Sequence, residues 1–130
     1  MNNKLTTPLF FLRISVALVL LMWTIDKFVN PAHAAAVFKK FYFIPGLGEN
    51  IFLMIGIAEL ILLGLFLAGR FKHITYLLVL IIHAVSTITP FAKYFSPFEG
   101  PNLLFFAAWP MLAACFTLYV LRDEDTKFNL

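Results

Sequence analysis

The sequence predicts an all-α integral membrane protein: a four-helix bundle with a short amphipathic interfacial helix between the first and second helices. Three observations lead there. The 130-residue chain is 62% hydrophobic and only 13% charged, with a mean hydropathy of +0.89, whereas soluble domains average roughly 45–50% apolar and about 25% charged. A soluble fold of this size has too little interior to hide so much apolar surface, so a bilayer must hide it. Finally, the apolar residues fall into four segments of spanning length, which need roughly 17–25 mostly apolar residues each. The length suits one domain over residues 1–130.

The first span is expected over about 8–27, "PLFFLRISVALVLLMWTIDK", with Pro8 acceptable at a helix start. A charged N-terminus, an apolar run and Ala32-His33-Ala34 resemble a signal peptide with its cleavage site. Asp26 and Lys27 interrupt that pattern, so an uncleaved first helix is expected. Between the first and second spans, Ala34, Val37, Phe38 and Phe41 recur at helical spacing, with Lys39 and Lys40 on the other side. Asn30-Pro31 and Pro45-Gly46 bracket this piece, which reads as an amphipathic helix lying in the interface.

The second span covers about 50–69, the third 73–90, ended by its own Pro90, and the fourth 102–121. Pro110 is expected to kink the fourth span unless a neighbour satisfies the freed carbonyl. With the N-terminus inside, Lys4, Arg70, Lys72, Arg122 and Lys127 face the cytoplasm, against Lys39, Lys40 and Lys93 outside. That bias predicts cytoplasmic termini. The net charge of +3 is scattered over short loops, a pattern that suits anionic lipid rather than nucleic acid. The single cysteine, Cys115, excludes an intrachain disulfide or CxxC pair and reads as a packing residue.

Glu59, in "GIAELILLG", is an ionisable group far from either end of its span. Such residues are costly and face a bundle interior with a partner. It lies ten residues before Gly69, and His83 lies ten residues after His73, so both sit roughly 15 Å from the same edge. On the first helix Arg13, Thr24 and Lys27 share a face; on the third Tyr76, His83 and Thr87 do. These residues can line one polar seam. Glu59 is therefore expected within direct or one-water reach of Arg13 or His83. Structural alternatives stand beside this: Arg13 or Lys27 snorkelling to head groups, His83 satisfied by a backbone carbonyl, or Glu59 pinned to Arg13 without chemistry. Gly56 and Gly64 are candidates for close helix approach near Glu59. No metal-binding, nucleotide or flavin motif is present, and a bis-histidine haem is not expected, because only His83 of the three histidines lies deep.

Arg13 early in the first span, "MWTIDKF", "IAELILLGLFLAGRF", the histidine of "LIIHAVSTI" and "NLLFFAAWPMLAACF" together resemble the DoxX family of small four-helix membrane proteins. The likeness covers nearly the whole chain; Thr24-Ile25-Asp26 replaces the family's usual glycine near the end of the first span. The resemblance implies a bacterial inner-membrane protein tied to sulfur, thiol or quinone redox chemistry, working with a partner redox protein or as an oligomer. By analogy Glu59 and His83 would be catalytic, relaying protons. Arg13, Lys27, Tyr76, Thr87 and Thr24 would bind substrate, with a quinone as the possible cofactor. A non-catalytic assembly or maturation factor and a small-molecule transporter are the other readings.

Overall fold

The computed structural model describes residues 3–30, 32, 33, 36, 39 and 49–129. Its elements, in chain order, are α1 (Asn3–Val29), α2 (Glu49–Ala68), α3 (Lys72–Ile88), the four-residue α4 (Phe91–Tyr94), a 3₁₀ segment (Asn102–Ala107) and α5 (Ala108–Val120). No strand occurs among the described residues. The expected interfacial helix falls mostly outside them; Ala32, His33, Ala36 and Lys39 are helical and exposed.

The long elements pack as a ring. α1 lies chiefly against α2 and α3 chiefly against α5, with lesser α2–α3 and α1–α5 contacts closing it. The core joins Leu9, Val16, Ala17 and Leu20 of α1, Leu63 and Phe66 of α2, Tyr76 and Val79 of α3, and Cys115 and Leu118 of α5. Two helices bury polar side chains beside their apolar core residues and expose large apolar ones. α1 buries Thr6, Arg13 and Thr24 while Phe11, Leu18 and Met22 are exposed; α3 buries Thr75, Tyr76, His83 and Thr87 while Ile74, Ile81 and Ile88 are exposed. Two stretches, Asn3–Val29 and Asn102–Val120, are long and apolar enough to cross a membrane.

Element boundaries follow local chemistry, with two corrections. α1 begins at Asn3, so Pro8 lies inside it rather than at its start. The cause is tertiary: the C-terminal segment packs there, with Thr6 and Leu9 buried and Thr7 accepting a 3.0 Å hydrogen bond from Lys127 Nζ. The fourth span divides instead of kinking. Because α5 starts at Ala108, Pro110 occupies its first turn, where a missing N–H breaks no α-helical bond.

α2 ends where Gly69 turns left-handed at φ 70°, a conformation glycine adopts without steric cost. Gly69 N–H donates to Phe66 O and Arg70 N–H to Leu65 O, the paired bonds of a Schellman cap. Two residues later α3 begins, so α2 and α3 form a tight antiparallel pair. Of the two glycines proposed for close approach, only Gly56 serves. A Cβ there would meet the Phe28 ring at 2.5 Å, whereas one on Gly64 would meet nothing within 4 Å.

Candidate functional site

The polar residues do not form one seam. They separate into two clusters and an isolated histidine, for reasons of depth. On α1, Arg13 and Thr24 are eleven residues apart, roughly 16 Å along the axis, and no side chain spans that distance.

The cluster near the C-terminal end of α1 is built on Glu59. Its Oε2 accepts from Thr24 Oγ1 at 2.7 Å and pairs with Lys27 Nζ at 3.2 Å. Thr24 is fully buried, whereas the side chains of Lys27 and Glu59 retain 14% and 23% exposure. Thr24 Oγ1 also lies 2.8 Å from the carbonyl of Leu20. A hydroxyl carries one proton, so it donates to only one of these oxygens at a time. Glu59 thus turns to α1, where its charged partner is Lys27 rather than the expected Arg13 or His83.

Arg13 belongs to the second cluster, where both termini meet. Asp125, from the segment after α5, is fully buried and approaches the Arg13 guanidinium at 2.9 Å. This is a charge contact and not an aligned hydrogen bond: Asp125 Oδ1 and Arg13 Nε both lack a hydrogen-bond partner. Arg13 Nη1 instead donates to Asn129 Oδ1 at 3.0 Å and Nη2 to the carbonyl of Lys127 at 2.5 Å. Tyr76 donates its hydroxyl to Asp125 Oδ2 at 2.5 Å, and Lys72 Nζ donates to the Asp125 carbonyl at 2.5 Å. Sequence reasoning missed Asp125, Lys72 and Asn129. A signal existed: Asp123, Glu124 and Asp125 are the acidic residues nearest the membrane end at which Arg13 was placed.

His83 stands apart. Its Nε2 donates to the Ala108 carbonyl at 3.0 Å, its ring stacks on Trp23 with centroids 6.1 Å apart, and its buried Nδ1 has no partner. A carbonyl only accepts, so Nε2 carries a proton. Thr87 donates to the carbonyl of His83 in its own helix and does not reach Glu59. Beyond it, Tyr94 donates to the Thr87 carbonyl at 2.6 Å, tying α4 to the end of α3; burial pushes the Tyr94 phenol upward.

A cleft of about 1050 Å³ runs between α1, the second half of α3 and the 3₁₀–α5 segment. On α1 it extends from Leu12 to Lys27, roughly 22 Å. Its walls are mainly apolar, including Val16, Trp23, Ile82, Phe105 and Met111, while Lys27, Glu59, Asp26 and His33 gather toward one end. Asp26 and His33 pair at 2.6 Å on the exposed rim. The cleft can therefore receive a long apolar molecule carrying a polar head. Among the described residues, no three histidine, cysteine or carboxylate side chains are placed to hold a metal. No family model matches the chain, and no curated protein or solved structure shows significant similarity to it.

Proposed function

We propose that the chain is a four-span integral membrane protein of the DoxX type and the membrane subunit of a quinone- or sulfur/thiol-linked redox complex, holding a lipophilic quinone in the cleft beside α1. One observation carries this reading: a mainly apolar cleft that ends at an ammonium–carboxylate pair. Its volume reaches the upper end of ordinary ligand sites, about 300–1,000 Å³. The exposed apolar residues of α1 and α3 support the bilayer setting, since they need lipid to cover them. α2, with 20 residues, matches a hydrocarbon core about 30 Å thick.

A quinone taking up two electrons also takes up two protons. Lys27 supplies an N–H donor and a positive charge at the polar end, and Glu59 is the group beside it that can hold and pass a proton. Thr24 orients Glu59 from the buried side. Electrons come from a partner redox protein. The DoxX resemblance implies a bacterial inner membrane, and the lysine and arginine bias favours cytoplasmic termini.

Trp23 lines the cleft, so a quinone bound there quenches its fluorescence. Detergent-purified protein carrying Trp109→Phe, titrated with a short-chain ubiquinone analogue, should show saturable quenching. Lys27→Met should weaken the apparent Kd about tenfold or more, the loss expected of one charge-assisted bond. Absence of saturable quenching in folded protein would overturn the assignment. A second reading, a non-catalytic docking or maturation factor, is favoured by Phe95 and Phe98, which are 82% and 87% exposed after α4. A co-purifying partner whose activity survives Glu59→Gln would select that reading.

A further inference from the structure

We propose that Arg13, Tyr76 and Lys72 form a carboxylate-binding site at the end where the termini meet, and that Asp125 of the chain's own C-terminal segment is its displaceable occupant. None of these residues lines the cleft, and the site does not depend on the function proposed for it.

Three observations carry the inference. First, a guanidinium, a phenol and an ammonium converge on one residue: Arg13 and Tyr76 on the Asp125 carboxylate, Lys72 on its carbonyl. Arginine forks recognise planar oxyanions by parallel N–H bonds. Second, the tethered carboxylate fits that fork poorly. Arg13 Nε and Asp125 Oδ1 are buried without hydrogen bonds although the two groups are in ion contact at 2.9 Å. A free carboxylate, unconstrained by the backbone, can turn to meet Nε and Nη together. Third, the segment is held by polar contacts and by the ring of Phe128 on Phe10, 4.9 Å between centroids, and contains strained backbone. Lys127 bonds Thr7, Asn129 bonds the Asp125 carbonyl, and Phe128 sits left-handed at φ 55° with 67% of its surface exposed. A bulky residue in that region is conformationally costly. Release relieves this strain, whereas departure of a core helix would expose packed apolar surface.

Binding of an outside carboxylate therefore competes with Asp125 and frees the segment. The test is chemical rescue in the full chain. Asp125→Ala should lower the unfolding temperature by about 10 °C by leaving Arg13 without a counter-charge. Formate or acetate should restore much of the loss, while chloride at equal ionic strength does not. The double variant Arg13→Gln/Asp125→Ala should ignore the added anion. Equal stability of Asp125→Ala in formate and chloride, or equal rescue of the double variant, overturns the site. Should Asp125→Ala unfold on extraction, extraction in formate is the readout: recovery there alone supports the site, and recovery in neither salt overturns it. In the wild-type protein, acetate should accelerate tryptic cleavage at Arg122 and Lys127 relative to chloride; an unchanged rate overturns displacement.

Discussion

Lys27 Nζ and Thr24 Oγ1 both reach Glu59 Oε2, so deleting the carboxylate strands an ammonium inside the bundle and leaves a hydroxyl with only its own helix to bond. Glu59→Gln keeps an acceptor oxygen at that place and should cost about 1 kcal/mol or less in thermal unfolding. Glu59→Leu should cost about 1–3 kcal/mol, because the uncompensated charge is Lys27. The residual exposure of the pair argues for the lower part of that range. A double-mutant cycle with Lys27→Met measures the coupling, expected near 1 kcal/mol. A coupling of zero would show that the pair contributes nothing. That Glu59 needs an interior partner was legible from its position in an apolar span. Which partner it takes was not, because Arg13 and Lys27 share one face of the first helix and the sequence leaves open which of them turns inward and which snorkels to the head groups.

At the level of helices, two glycines eight residues apart on α2 differ completely in environment. Gly56 is buried against the Phe28 ring, whose nearest carbons would lie 2.5 and 2.7 Å from an added Cβ; Gly64 faces open space. Gly56→Val should therefore push α1 from α2 or turn Phe28 aside, at a cost of about 1–3 kcal/mol. Gly64→Ala should be neutral or stabilising by up to about 1 kcal/mol, through the higher helix propensity of alanine. Thermal unfolding of the two variants in one detergent checks both signs, and equal effects would refute the assigned packing. The spacing of the glycines could not separate them, because each one's use depends on what the neighbouring helix presents. α5 teaches a related lesson. Pro110 was read against a helix starting at residue 102, but the 3₁₀ segment before Ala108 shifts that start and makes the proline an ordinary first-turn residue.

Across the whole molecule, the contacts of Asp125 with Arg13 and of Lys127 with Thr7 bring the two ends of the chain to one face. An even number of crossings follows if the bundle spans a bilayer. Reporter fusions at the N- and C-terminus should then give the same-side signal, and the five-to-three bias in lysine and arginine predicts the cytoplasm. Opposite signals from the two fusions would rule out four crossings. The ring of helices also explains why the cleft opens where it does. α1 packs on α2 and α3 on α5, whereas α1 meets α5 less extensively, so the lining passes between those two pairs.

Composition and apolar segment length by themselves determined the helical class, the approximate limits of the long helices and the demand that Glu59 face inward. Those properties are local or additive along the chain: burying backbone polar groups in an apolar segment requires a helix, and burying a charge requires a partner. Tertiary structure alone decided the pairings. Arg13 turned to a carboxylate 112 positions away, His83 to a backbone carbonyl on α5, and Lys27 to Glu59. Each pairing depends on the rotation and offset of packed helices and on the path of the segment beyond α5, which a hydrophobic pattern does not encode.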